Sequence, residues 1–62
     1  MAADKTSERV DGKTPNGGDF SIAYFMDEKG NPVPKKQAKR AEIIEYKKDG
    51  TVIQRTYGTI NA

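Results

Sequence analysis

The side chains that most often perform covalent or metal chemistry are missing from this chain. Its 62 residues include no Cys and no His, so neither a thiol nucleophile nor an imidazole base is available for nucleophilic catalysis. The same absence excludes disulfide bonds and the usual zinc ligands. Only carboxylates, hydroxyls and the cationic side chains of Lys and Arg remain as candidates.

Two short motifs suggest ligand sites, and both fail on spacing. Gly12-Lys13-Thr14 resembles the end of a phosphate-binding loop, but Ser7 stands where that motif requires a glycine. Residues 27–31 resemble a calcium loop without its alternating oxygen ligands or its distal glutamate. The remaining paired carboxylates are expected on the solvated surface of a chain too small to enclose them. We therefore predict no catalytic residue, no metal site, no cofactor and no enzymatic activity.

A basic segment at residues 35–40 is the one group of residues whose pattern suggests a binding function. Four positive charges in six residues, followed by further cations, could contact the phosphates of a nucleic acid. The candidate contacts are Lys35, Lys36, Lys39, Arg40, Lys47 and Lys48. Glu42, Glu45 and Asp49 interrupt the patch, and basic runs in linkers are usually solvated. Weak nucleic-acid binding is therefore the alternative hypothesis, and residues 35–40 are either a helical turn or a linker.

The charge distribution and the hydropathy are typical of a soluble protein. The formal net charge is +2, but residues 1–31 carry four basic and six acidic side chains while residues 32–62 carry seven and three. The start of the chain lacks the apolar core of a secretory signal. No stretch approaches the roughly 20 apolar residues that cross a membrane. We expect no membrane association and a cytoplasmic location.

The pattern of apolar residues predicts a single small β domain at residues 19–60. Residues 1–18 hold almost no large apolar side chain and are predicted to form a disordered tail. Residues 19–26 alternate with a period of two, which indicates a strand. A second strand is predicted at about residues 41–47, and a third follows the turn residues Asp49-Gly50. The expected fold is a three-stranded antiparallel meander.

The second and third strands are predicted to form a hairpin with a two-residue turn. In that register Tyr46 faces Ile53, Ile44 faces Arg55, and Glu42 faces Tyr57. A slip of one residue would give a poorer apolar match across the two strands.

So small a sheet is expected to need a second chain. A domain of this size buries only about 60% of its unfolded surface, and it has no disulfide or metal to compensate. One face of the sheet, including Phe25, would stay in contact with water. We therefore predict a homodimer, with strand exchange through the connection 27–40 as one route to it. The residues predicted to form the core or the dimer contact are Phe20, Ile22, Tyr24, Met26, Ile44, Tyr46, Ile53 and Tyr57.

The segment from Ala41 to Gly58 resembles that of short bacterial proteins of unknown function. The resemblance covers mostly the C-terminal hairpin and implies no activity, ligand or site residue. The function expected from the residues is that of a small, non-catalytic, self-associating module that acts in protein interaction or structure, with an unidentified protein as a further partner.

Overall fold

The computed structural model describes residues 5–60, which form one antiparallel sheet of four strands. The strands are β1 (Ser7–Asp11), β2 (Phe20–Met26), β3 (Arg40–Tyr46) and β4 (Val52–Thr59), and they lie in chain order across the sheet. The only helical element in this part of the chain is a 3₁₀-helix at Lys35–Gln37. The structure confirms a small, mainly β chain built from antiparallel hairpins.

The fourth strand corrects the prediction of three strands preceded by a disordered segment. β1 lies within residues 1–18 and pairs with β2 from Ser7 opposite Tyr24 to Asp11 opposite Phe20. Sequence reasoning missed it because four of its five residues are polar, so no apolar alternation marks a strand. Backbone hydrogen bonds to a neighbouring strand do not need that alternation. Residues 1–4 of the predicted tail lie outside the described residues.

Three turns of one type connect or extend the strands, at residues 14–18, 27–31 and 47–51. In each turn the N–H of the fourth residue donates to the carbonyl of the first. The fourth residue is Gly17, Gly30 or Gly50, with φ of 87°, 88° and 94°. Only glycine adopts this left-handed conformation without a steric cost. The spacing of these glycines therefore determines where the chain reverses.

The β3–β4 hairpin confirms most of the predicted register and corrects its end. Ile44 lies opposite Arg55 and Glu42 opposite Tyr57, as predicted. Tyr46 lies opposite Val52 and not Ile53, because the register shifts next to Tyr46. The loop is one residue longer than a two-residue turn, since the Lys47 N–H donates to the Thr51 carbonyl. The extra loop residue shifts the strand pairing next to the turn. As a result, Ile53 has no residue directly opposite it on β3.

Most of the buried core lies on the face of the sheet that the sequence predicted to be in contact with water, and Ile44 on the opposite face is the exception. Phe25 is only 6% exposed and packs with Ala38 and Ala41. The chain after β2 crosses this face: the Val33 N–H donates to the Phe25 carbonyl, and the Lys39 N–H donates to the Met26 carbonyl. The segment 32–39 therefore acts as a lid over Phe25. We call this side of the sheet the covered face.

A second loop covers the other end of the same face, near β3 and β4. Asn16 donates from its backbone N–H to the Glu45 carboxylate at 3.0 Å, and its side-chain amide donates to the same carboxylate. Glu45 is 4% exposed. These hydrogen bonds lower the pKa of Glu45, with the Thr14 hydroxyl as the largest cause and Asn16 next. A buried carboxylate thus anchors the 14–18 turn to the sheet.

Candidate interaction face

The opposite side of the sheet, which we call the aromatic face, is built by strand alternation. Side chains two residues apart on a strand point the same way, and directly paired residues share a face. The observed register places these residues there: Phe20, Ile22, Tyr24 and Met26 of β2, Arg40, Glu42, Ile44 and Tyr46 of β3, and Arg55 and Tyr57 of β4. β1 adds Ser7, Arg9 and Asp11.

A row of stacked side chains crosses the aromatic face at one end. The Phe20 and Tyr46 rings are parallel within 13°, with centroids 5.0 Å apart. The Arg9 guanidinium carbon lies 4.1 Å from the Phe20 ring centroid. A cation over a ring face is attracted by the ring quadrupole. The row therefore joins β1, β2 and β3 through consecutive side-chain contacts.

Tyrosine hydroxyls carry hydrogen bonds along the same face. The Tyr24 and Tyr46 hydroxyl oxygens are 3.4 Å apart. This hydrogen bond is the largest cause of the raised pKa of Tyr46, and partial burial adds to it. The aromatic face thus combines apolar area with polar groups that hold the rings in place.

Glu42 is the acidic centre of the β3–β4 half of this face. One Arg55 nitrogen lies 4.0 Å from Glu42 Oε2. That oxygen is buried and accepts no hydrogen bond within the described residues. The pKa of Tyr57 is raised, first by its hydrogen bond to Glu42 and then by the carboxylate charge. An arginine, a tyrosine and a carboxylate therefore meet at the exposed edge of the sheet.

Seven of the eight residues predicted for the core or dimer contact share the aromatic face, and Ile53 is the exception. Phe20, Ile22, Tyr24, Met26 and Tyr46 are partly exposed. Ile44 is 7% exposed and Tyr57 63%. Ile53 instead lies near the turn at Gly18, where a Cβ added to that glycine would be 3.1 Å from the Ile53 Cδ1. Seven of the predicted residues thus share one surface, and no described residue forms a layer over it.

The predicted nucleic-acid contacts fall into two groups at opposite ends of β3. Lys35, Lys36, Lys39 and Arg40 lie at or before its start, and Lys47 and Lys48 follow its end. Seven strand residues span roughly 20 Å, so the two groups do not form one patch. The Lys47 ammonium also donates to the Gly17 carbonyl at 3.0 Å.

Arg9 is the site residue that sequence reasoning missed. It belongs to a strand whose sequence shows no apolar alternation, and its contact with Phe20 exists only because β1 pairs with β2. In the sequence alone, Arg9 is visible only as a cation within a polar segment, which does not indicate a site.

Comparison with protein-family models, with curated proteins and with solved structures finds no match to this chain. Over residues 5–60, no three carboxylates are grouped so that they could hold a metal ion. No helix in that range is long and apolar enough to cross a membrane.

Proposed function

We propose that this chain is a small, non-catalytic interaction module that associates with itself through its aromatic face. The observation that carries the proposal is the asymmetry of the sheet. Two segments of the chain cover one face, whereas the face with most of the aromatic rings has no second layer among the described residues. Protein domains are stable when an apolar sheet face packs against another layer.

The dimensions of the sheet fit an association of this kind. The described chain measures 29 × 28 × 15 Å, so each broad face has a footprint of roughly 800 Å², which is what one partner contributes to a standard protein interface. Two such faces would stack as a sandwich about 10 Å apart. A second copy of this chain supplies a face of the same size and composition.

The charges on the aromatic face support a symmetric contact. Arg9, Arg40 and Arg55 lie on it together with Asp11 and Glu42. Mixed signs allow each copy to place cations near the partner's carboxylates, whereas a face of one sign would repel its own copy.

The non-catalytic part of the proposal rests on the chemistry of the residues. Cys and His are absent, and the buried carboxylate of Glu45 is occupied by Thr14 and Asn16. The cytoplasmic location belongs to the same proposal, since a chain without Cys suits a reducing compartment. Strand exchange is not required, because the 27–31 turn reverses the chain directly after β2.

Weak nucleic-acid binding is less well supported by the ring geometry. Base recognition on a sheet uses exposed aromatic faces on which bases stack. Phe20 has Arg9 over its ring and Tyr46 stacked against it, so it offers little stacking surface. The basic residues are also divided between the two ends of β3.

A pair of isoleucine variants tests the proposal. Ile22 lies on the aromatic face, whereas Ile43, on the neighbouring strand, lies on the covered face and is 44% exposed. We expect the unaltered chain to sediment as a dimer or larger species at tens of micromolar, with Ile22→Glu reducing the size of that species and Ile43→Glu leaving it unchanged. Circular dichroism of both variants verifies that they remain folded. A folded monomer for the unaltered chain, or equal effects of the two folded variants, would refute the proposal.

A further inference from the structure

Within residues 5–60 no strand pairs with the outer edge of β4. One side chain reaches that edge, where the Gln54 amide donates a long hydrogen bond of 3.5 Å to the Arg55 carbonyl. β4 has eight residues. Ile53 is partly buried, and the other seven are exposed. Natural edge strands are usually blocked by Lys, Pro, bulges or short length. β4 contains neither Lys nor Pro, its register shift is confined to its beginning, and its single charge is Arg55. The other edge strand, β1, has only five residues, three of them charged.

The hydrogen-bond pattern identifies which β4 groups point outward. The Ile60 N–H donates to the Lys39 carbonyl, and the Lys47 N–H donates to the Thr51 carbonyl. Odd-numbered β3 residues therefore bond toward β4. In an antiparallel ladder, hydrogen-bonded and non-hydrogen-bonded pairs alternate. Thr56 and Gly58 thus bond to β3, while the N–H and C=O groups of Arg55, Tyr57 and Thr59 face away from the sheet.

We propose that β4 pairs antiparallel with β4 of a second copy, about a twofold axis at Thr56. In this register Arg55 lies opposite the partner's Tyr57, and Tyr57 lies opposite the partner's Arg55. The backbone N–H and C=O groups of Arg55 and Tyr57 face away from β3, so each of these pairs exchanges two backbone hydrogen bonds. Thr56 lies opposite its own copy in a non-hydrogen-bonded pair. The two sheets become one sheet of eight strands.

Side-chain chemistry selects this register over its two neighbours. A register centred on Arg55 would place two guanidinium groups directly opposite each other, which is destabilising. A register centred on Tyr57 would place Arg55 opposite Thr59 and forfeit its contact with an aromatic ring. The Thr56-centred register makes two cross-strand Arg–Tyr pairs on the aromatic face, each suited to a cation–π contact. It also sets Gln54 opposite Gly58, where the space around the glycine Cα is open.

This contact uses the sheet edge and is separate from the face-to-face association, so either can exist without the other. Its twofold axis is perpendicular to the sheet, whereas that of a face-to-face pair lies between two sheets. Where both contacts form and the two axes intersect at right angles, the product is a closed assembly of four chains.

A single-cysteine experiment tests the register, because the natural chain has no Cys. Residues in a non-hydrogen-bonded antiparallel pair have Cα atoms about 4.5 Å apart, within the range that a disulfide spans. Thr56→Cys should therefore form a disulfide-linked dimer under mild oxidation. Gln54→Cys is the matched control, since it is exposed on the same face of β4 but would lie roughly 13 Å along the strand from its copy.

The expected result is rapid cross-linking of Thr56→Cys that persists when Ile22→Glu is added, with little cross-linking of Gln54→Cys. Equal rates for the two cysteine variants, or loss of the cross-link with Ile22→Glu, would overturn the proposal. Amide hydrogen exchange on the unaltered chain provides a second measurement. The Arg55 and Tyr57 amides should become protected as concentration rises, whereas the outward amides of Arg9 and Asp11 on β1 should not. Equal behaviour of the two edges would also overturn it.

Discussion

Asn16 donates two hydrogen bonds to the carboxylate of Glu45, a residue 29 positions later in the chain. One comes from the backbone N–H and the other from the side-chain amide. The Thr14 hydroxyl adds a third, while it also accepts from the Gly18 N–H at 2.7 Å. A single buried carboxylate thus connects the 14–18 turn to the end of an inner strand, β3. Its ionisation has a direct consequence for stability.

The fold should lose stability in acid through Glu45. Its pKa is lowered from the ordinary value of 4.5 in the folded chain. Its contribution is therefore fully present above the ordinary value and is lost as the pH falls through the folded pKa. The pKa values of Asp27 and Asp49 are lowered as well, chiefly by hydrogen bonds from Asn31 and Thr51 respectively, and they act in the same direction. Thermal unfolding followed between neutral and acidic pH should show a falling midpoint.

Glu45→Gln should flatten that pH dependence in part, since the Asp27 and Asp49 contributions remain. Glu28→Gln, in an exposed position of the 27–31 turn, is the control. Its thermal unfolding midpoint should depend on pH in the same way as that of the unaltered chain. An unchanged slope in Glu45→Gln would contradict the role given to this carboxylate.

Two glycine-to-alanine substitutions should have opposite effects. A Cβ at Gly18 would lie 2.6 Å from Thr14 Oγ1 and 2.9 Å from the Tyr46 carbonyl oxygen. The backbone contact cannot move easily, so Gly18→Ala should cost about 1–3 kcal/mol of unfolding free energy. At Gly58 nothing lies within 4 Å of a new Cβ. Gly58→Ala should be neutral or stabilising by up to about 1 kcal/mol, because it restricts the unfolded chain.

Urea denaturation of both glycine variants provides the measurement. The prediction fails if Gly18→Ala is as stable as Gly58→Ala.

Phe25 should be the most costly aromatic residue to truncate. It is 6% exposed beneath the 32–39 segment, and removing a buried phenylalanine costs about 3–5 kcal/mol. That is comparable to the whole stability of a domain of this size. Phe25→Ala should therefore lack a cooperative unfolding transition when monitored by circular dichroism.

Val10→Ala serves as the control for the Phe25 experiment. Val10 is 55% exposed, and its truncation should change the unfolding free energy by no more than about 0.5 kcal/mol. A well-folded Phe25→Ala chain would show that the covered face does not hold the core.

The contact between Arg9 and Phe20 should contribute about 0.5–1 kcal/mol, as is typical of an exposed cation–π pair. A double-mutant cycle of Arg9→Gln and Phe20→Leu isolates this energy from the other effects of each change. Arg9 also forms an ion pair with Asp11 at 2.9 Å. Asp11→Asn measures that contribution separately, and a cycle energy of zero would mean that the Arg9 position over the ring is not stabilising.

Much of the sheet follows from local sequence. The alternation over residues 19–26 predicts a strand, and the observed β2 is Phe20–Met26, because alternation of apolar residues is visible without knowledge of neighbours. The position of Asp49-Gly50 predicts the pairing of Ile44 with Arg55, which the structure confirms. β1 is not predictable in this way, because Ser7–Asp11 is held by hydrogen bonds to β2 and carries no apolar pattern of its own.

The sequence by itself determined that the chain is a mainly β meander with turns where glycines permit them, and it predicted eight residues for the core or the dimer contact. The register in the structure places seven of those eight on one face. Only the tertiary structure decided which face is covered. Both sides of β2 carry large apolar groups, so alternation alone does not distinguish them. The path of residues 32–39 over Phe25 and the hydrogen bonds between Asn16 and Glu45 make the choice. These are contacts between distant parts of the chain, and they leave the aromatic face without a covering layer among the described residues.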